Sequence, residues 1–406
     1  MELILHRGAD EIGGTCIEVI HTSGARLVLD AGRPLDAPSD ATGLLPLTLD
    51  LTRPATVLIC HAHQDHWGLI HDLPGGWPLW AGAASARLIE ITCRFARQPL
   101  ARPFLTWTQG QAFAVGPFRV TPILTDHSAF DASMLLIEAD DQRILYSGDF
   151  RRHGRKGALV EQIMASPPRA IDVLIMEGTN LGIDKPVMTE ASLENDVADL
   201  MAATPGRLFT AWSAQNVDRT VTLYRAAKRS GRTLVIDLYT AEVLEAIAEG
   251  TRLPRPGWDK LKVVVTRGLR NHYIAADRGD FVARMANGGL SAKALNGSRH
   301  VIMLRDGLVR DYRNKGVLLG PDDAFVWSMW RGYLAEDGLA HVWAKESGVT
   351  VHHMHTSGHA SAADLEAFAA AIAPRHIVPV HGQNWHTAHP SFKGLQPLAN
   401  GQTMIL

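Results

Sequence analysis

Ala55-Thr-Val-Leu-Ile-Cys60-His61-Ala-His63-Gln-Asp65-His66-Trp67-Gly68 places four potential metal ligands within six residues, directly after an apolar run. The run is β-branched and short, which predicts a buried strand. A loop then leads into a helix near Asp65-His66. At such a turn His61 and His63 point to one side, and Asp65 and His66 to the other. That arrangement suits two metal ions held side by side. Neutral imidazoles suit zinc, and a carboxylate adds charge neutralisation.

The same pattern recurs along the chain: apolar strands end in His, Asp or Glu. Before the ligand stretch, strands are expected at 2–6, within 11–20 after a turn, and within 25–32 before an acidic turn, with Gly-Gly and Ser-Gly turns between them and a polar, Pro-rich loop or lid over 36–53. After it come a hairpin turning at Gly116-Pro117 and running into His127, and a second turning at Asp140-Asp141 and running into Asp149. The strand Ile171–Met176 ends at Glu177-Gly-Thr179-Asn. Later strands end at 355–359 and at His381-Gly382. Side chains from successive strand ends converge on one rim of a sheet.

From about residue 190 helical and strand patterns alternate, predicting a parallel sheet with flanking helices. The expected helices cover 190–203, 216–230 and 239–249, with strands between; 250–260 and 284–299 read as surface loops. After 350 the pattern of strands ending in ligands resumes. The organisation expected is a β-rich metal domain in two parts, 1–190 and 350–406, with an inserted α/β domain over 191–349.

Composition bounds the function classes. The 406 residues are 46% hydrophobic and 20% charged, with nineteen histidines and a formal net charge of −2. No global basicity advertises a polyanion partner, so any such site is local. Arg151, Arg152, Arg155 and Lys156 form the one dense basic run, read either as phosphate guidance or as a solvated loop. Cys16, Cys60 and Cys93 show no CxxC spacing and read as core thiols of a reducing compartment. No signal peptide and no membrane span is expected, which points to the cytoplasm.

Taken together, these residues resemble the metallo-β-lactamase-fold nucleases of the β-CASP group, which includes ribonuclease J and the pre-mRNA 3′-end cleavage endonuclease. The resemblance rests on His61-Ala-His63-Gln-Asp65-His66, on His127, on Asp149 in Ser-Gly-Asp-Phe, on Glu177, and on Ser-Gly-His359 followed by Val-His381-Gly after a long insertion. It implies an α+β metallo-β-lactamase αββα sandwich with an inserted α/β β-CASP domain. It also implies two zinc ions, one on His61, His63 and His127, the other on Asp65, His66 and His381, with Asp149 between them. Histidine-rich ligation favours zinc and leaves manganese open. The catalytic residues implied are Asp65, His359 as proton donor, and Glu177 orienting it.

Phosphate contacts are expected from Asn216 and Arg219 in Ser213-Ala-Gln-Asn216-Val-Asp-Arg219, because a helix N-terminus with an Arg suits phosphate. An ordinary helix cap is the competing reading. His355 and Ser357 are placed at the same rim, and His386 and His389 at its mouth. The group's pattern is departed from at Gln383 and at Val301-Ile-Met-Leu-Arg-Asp-Gly307, which leaves exonucleolytic and endonucleolytic modes open. The function expected is zinc-dependent hydrolysis of single-stranded RNA in a cleft between the domains. A DNA nuclease of the same build and a thioester or lactone hydrolase are the alternatives. Oligomeric state stays open.

Overall fold

Three sheets organise the chain, and their central strands are short runs of mostly buried residues. The computed structural model describes residues 1–183, 186–297, 299–335, 337–386 and 392–406. His389 lies outside the described residues. In the first sheet β1 (Glu2–Arg7), β2 (Cys16–Ile20) and β3 (Arg26–Leu29) form an antiparallel meander. β4 (Thr56–Ile59), β5 (Leu79–Gly82) and β6 (Phe104–Trp107) extend it in parallel. In the second sheet β7 (Phe113–Val115), β8 (Phe118–Leu124), β9 (Ser133–Ala139) and β10 (Gln142–Tyr146) are antiparallel, and β11 (Val173–Glu177) joins β10 in parallel. Asp140 and Asp141 turn the β9–β10 hairpin at φ 49° and 59°, as a two-residue turn matched to strand twist requires.

The third sheet belongs to a second compact unit, Met188–Ser357 with Arg94–Gln98. Its strands are β12 (Leu208–Ala211), β13 (Leu234–Ile236), β14 (Leu261–Val263), β15 (Val301–Met303), β16 (Ala324–Trp327) and β17 (Thr350–His353). They lie in the order β14-β13-β15-β12-β16-β17, all parallel. Every residue of β12, β13, β15 and β16 is buried, because helices cover a parallel sheet on both faces. Side-chain caps start those helices: Asn216 accepts from Arg219 N, and Asp237 from Thr240 N.

The chain then returns to the first unit. β18 (His376–Val380) pairs in parallel with β11, and β19 (Gln402–Ile405) pairs antiparallel with β1. The facing sides of the first two sheets share one core, in which Leu3, Val19 and Leu58 meet Val120, Ile137 and Ile175. The other side of the second sheet packs Leu136, Leu174 and Met176 against Val160, Ile163, Leu365 and Phe368 of the helices Gly157–Ala165 and Ala362–Ile372.

Two boundaries differ from the sequence expectation. The chain leaves the second unit after Ser357 and not at 350, because β17 hydrogen-bonds to β16 and so completes the third sheet. The stretch 284–299 is not all loop. The helix Gly279–Ala286 and a 3-10 turn at Ala292–Asn296 occupy it, the latter burying Ala292 and Leu295 in the core. Among the described residues no helix is long and apolar enough to cross a membrane, and all three cysteines are free and buried.

The meander carries one buried ionic cluster away from the ligand stretch. Glu18 pairs with Arg26 and, at 3.1 Å, with His6 Nε2, while Arg26 also donates to Asp50 O and Arg53 O at 2.9 Å. Burial opposes the Glu18 charge, but the hydrogen bonds from His6 and Arg26 hold its carboxyl below the usual range. Glu18→Gln leaves the Arg26 charge without its partner and should cost about 3–5 kcal/mol in urea unfolding at neutral pH. A carboxyl lowered on folding stabilises above its unfolded pKa and loses that contribution as pH falls through the folded one. The gap between wild type and variant should therefore shrink below about pH 4.

Candidate active site

β4 ends at Ile59, and the next turn carries the ligand stretch. Gln64–Trp67 form one helical turn with extended His63 as its N-cap. Gly32 makes that turn fit: a Cβ there would lie 1.7 Å from the Asp65 carbonyl oxygen. His127 follows β8, Asp149 follows β10, Glu177 closes β11, and His381 follows β18. All of these, with His359, lie in the first unit.

The described residues contain sets of donors whose ligand atoms lie within 4.8 Å of one another: His61, His63 and His127; Asp65, His66, Asp149 and His381; Asp149, Glu177, His359 and His381; and Cys60, His61 and His66. His63 Nδ1 is 3.2 Å from His127 Nε2, His66 Nε2 is 3.1 Å from Asp149 Oδ2, and His381 Nε2 is 3.2 Å from Asp65 Oδ2. His61 Nε2 lies 3.6 Å from Asp149 Oδ2 and links the first set to the second. His61 Nε2 and Asp149 Oδ1 are buried without a hydrogen-bond partner among the described residues. Imidazole nitrogens and carboxylate oxygens left facing each other in a dry site are what a cation would satisfy, so the donor set fits a metal.

The far side of three of these rings is held. Asp30, at the end of β3 with φ 61°, is completely buried. Its Oδ2 accepts from His66 Nδ1 at 2.8 Å, Tyr146 OH at 2.6 Å and Cys60 Sγ at 2.9 Å, and its Oδ1 accepts from Cys60 N at 2.8 Å. His127 Nδ1 donates to Gly358 O at 2.6 Å. His381 Nδ1 meets Thr179 Oγ1 at 2.8 Å. The contacts to Asp30 and to Gly358 O fix the Nδ1–H tautomer of His66 and His127, and all three contacts leave Nε2 facing the cluster, the way outer partners orient metal-binding histidines.

Electrostatics favour the neutral form of His61, His63 and His127 and the ionised form of Asp149. Burial pushes His61 and His127 well below the ordinary imidazole value and takes His63 down to about 4. Burial works against the Asp149 charge, but His381, His66 and His359 hold its carboxyl well below the usual range. His359 behaves oppositely. Burial disfavours its cation, yet the carboxylates of Glu177, Asp149 and Asp65 raise it to about 9. Its Nδ1 lies 3.1 Å from Glu177 Oε2, whose other oxygen accepts from Phe150 N at 2.9 Å.

The phosphate candidates lie in the second unit, where Arg219 is fully buried. It pairs with Glu190 Oε1 at 3.1 Å and donates to Ser328 O and Oγ at 2.7 Å, with His355 Nδ1 at 3.4 Å. Asn216 caps the helix Val217–Arg229 by accepting from Arg219 N at 2.9 Å. Burial, with Arg219 next, takes His355 down to about 3. Ser357 is the last residue of the unit. In the basic run, Arg151 is buried beside Asp126, and Arg152 joins Glu161 and Asp364 at 2.6 and 2.9 Å. His386, exposed, meets Asp10 at 2.9 Å.

Sequence reasoning missed Asp30, Thr179 and Asn180. Asp30 shows the strand-end signal used elsewhere: an acidic residue closing an apolar run. Thr179 and Asn180 directly follow Glu177 but are too common in turns to stand out.

Comparison with known proteins agrees with this geometry. The profile of the beta-lactamase superfamily domain matches residues 25–228, and that of the Zn-dependent metallo-hydrolase RNA specificity domain matches residues 349–389. The chain belongs to the β-lactamase superfamily. It is 25% identical to a ribonuclease J of Sinorhizobium meliloti, over 86% of this chain and 63% of the relative. It is 24% identical to a ribonuclease J of Mycobacterium tuberculosis, over 92% and 67%. The chain spans about three fifths of the length of the first of these curated relatives. A crystal structure of a protein of unknown function from Enterococcus faecalis V583 superposes with a TM-score of 0.78 at 20% identity, covering 100% of this chain and 99% of that one. The fold is thus the αββα metallo-β-lactamase sandwich with a parallel, helix-flanked second sheet system.

The surroundings of Arg219 generate a prediction. Arg219→Ala strands Glu190 in the core and should cost about 3–5 kcal/mol in denaturant unfolding. An unchanged midpoint with weakened RNA binding would return Arg219 to the role of phosphate contact.

Proposed function

We propose that the chain is a zinc-dependent phosphodiesterase that hydrolyses single-stranded RNA. The observation that carries this reading is the pair of donor sets joined through Asp149, with His359 directly beside them: His359 Nδ1 lies 3.7 Å from Asp149 Oδ2. The likeness to relatives named ribonuclease J and the match to an RNA specificity domain support RNA as the polymer. One zinc ion would be held by His61, His63 and His127, the other by Asp65, His66 and His381, with Asp149 shared. Bound there, zinc supplies Lewis acidity and lowers the pKa of water.

The chain's own residues account for the rest. Asp65 and Asp149 are kept ionised by the histidines around them. The imidazoles of His66, His127 and His381 are turned inward by their outer partners. Glu177 holds His359 through Nδ1, so the cation keeps a proton on Nε2 for the leaving oxygen when the phosphorus–oxygen bond breaks. Phosphoryl transfer needs this alignment and charge neutralisation more than covalent help.

The test is direct. Purified protein is incubated with 5′-labelled single-stranded RNA and DNA, with and without chelator. Loss of RNA alone, abolished by chelator and by Asp65→Ala, supports the proposal. A ladder of products marks endonucleolytic cleavage and mononucleotides mark exonucleolytic cleavage. Metal analysis should give about two zincs per chain, and fewer argues against the dinuclear site. His359→Gln should lower kcat by about 10²–10⁴-fold with metal content unchanged. Cleavage of a lactone or thioester with neither polymer cut would sink the nuclease reading.

A further inference from the structure

The residues following β11 hold both late histidines at once. Thr179 Oγ1 lies 2.8 Å from His381 Nδ1, 3.1 Å from His359 Nδ1 and 3.2 Å from His381 O. A hydroxyl has one proton to give and two lone pairs to receive with. One assignment uses all three contacts: both Nδ1–H groups donate to Thr179, that of His359 shared with Glu177 Oε2 at 3.1 Å, and Thr179 donates to the His381 carbonyl. In that assignment both rings carry the proton on Nδ1. Nε2 of His381 is left as a lone pair, 3.2 Å from Asp65 Oδ2.

The backbone agrees. His381 sits at φ 51°, a left-handed conformation that is uncommon for a residue with a side chain. Its peptide is tied on both sides: His381 N donates to Gly8 O at 2.8 Å, and Gly178 N joins Thr179 in donating to His381 O, at 3.3 Å. Asn180 Nδ2 donates to His359 O at 3.1 Å and Ala360 O at 3.0 Å. The two imidazoles lie stacked, 5.4 Å between centroids and 25° between planes.

We propose that Thr179 is a positioning residue whose hydroxyl sets the tautomer of His381 and the spacing between His381 and His359, with Asn180 fixing the backbone under His359. This rests on His381 being a metal ligand and His359 the proton donor. Thr179 touches neither metal nor substrate in this role and acts through the two rings.

Four proteins test it: wild type, Thr179→Val, Thr179→Ala and Thr179→Ser. Zinc affinity is read by competition with a chromophoric chelator, and kcat and KM are read on single-stranded RNA. Val and Ala should weaken the more labile zinc by about 10–100-fold, the range typical of lost outer partners. They should lower kcat with KM little changed, and Ser should restore both. If Val prevents folding, shown by melting of the metal-free protein, the Ser–Ala pair decides alone, since it differs only in the hydroxyl. Wild-type zinc affinity in Val or Ala, or a Ser variant as impaired as Ala, overturns the proposal. Failure of wild type to cut RNA would count against the nuclease reading, while the zinc titration still decides the role of Thr179.

Discussion

The buried carboxylate of Asp149 is the constraint on which the rest of the site depends. An ionised group out of water is costly unless it is paired and hydrogen-bonded. Asp149 is almost completely buried, and the groups facing it are imidazoles delivered from separate segments of the chain: His61 and His66, His359, and His381. Two of these rings, His66 and His359, are raised in pKa by the surrounding carboxylates, although burial works the other way. His61 and His127 are pushed in the opposite direction. One small volume thus holds imidazoles shifted in opposite directions. The shifts agree with the proton-carrying role proposed for His359 and with the ligand roles proposed for His61, His63 and His127.

Sheet topology is what makes this density of polar groups tolerable. β10, β11 and β18 are mutually parallel, so their C-terminal ends lie at one rim, and the turn after β4 brings its ligands to the same place. Each of these strands buries apolar side chains almost to its end and changes to candidate ligands at its last residue, as at Glu177, or just beyond it. The core below, with Leu58, Tyr146, Ile175 and Val380 all nearly inaccessible, fixes the strand ends, and therefore the candidate ligands, to the precision of close packing. Tyr146 belongs to both layers. Its ring lies in the core and its hydroxyl donates to Asp30, which in turn holds His66.

Much of this was legible in the sequence because it repeats. The strand-then-ligand pattern recurs at His61, His127, Asp149, Glu177 and His381, and the helix Ala362–Ile372 and strand His376–Val380 have the bounds their periodicity predicts. What was not legible depends on pairing between distant segments. β17 looks like part of the returning domain because it precedes Gly358-His359, yet its partner is β16. β19 carries no chemical signal and is identified only by its register against β1. Asp30 reads locally as an acidic turn and not as a site residue, since nothing near it in sequence reveals that Tyr146, Cys60 and His66 all reach it.

Arg219 shows where a motif stops being informative. Asn followed three residues later by Arg at a helix start satisfies a phosphate-binding pattern and also a plain cap with a buried ion pair. Local sequence cannot separate the two, because the deciding partner, Glu190, sits one helix earlier. In the fold Glu190 also accepts from Thr222 at 2.7 Å, and Arg219 spends its donors on Ser328 and the Thr356 carbonyl. Such a network ties the helices Glu190–Ala203 and Val217–Arg229 to the loops after β16 and β17. A guanidinium committed to several protein partners in a dry interior has a geometric role first, since releasing it to a ligand would strand the Glu190 charge. The contrast with His359 is instructive. Both face a glutamate, but the imidazole can give up its proton and remain hydrogen-bonded, whereas the guanidinium cannot. That difference, more than position in the sequence, is what makes one of them a candidate for chemistry and the other a candidate for architecture.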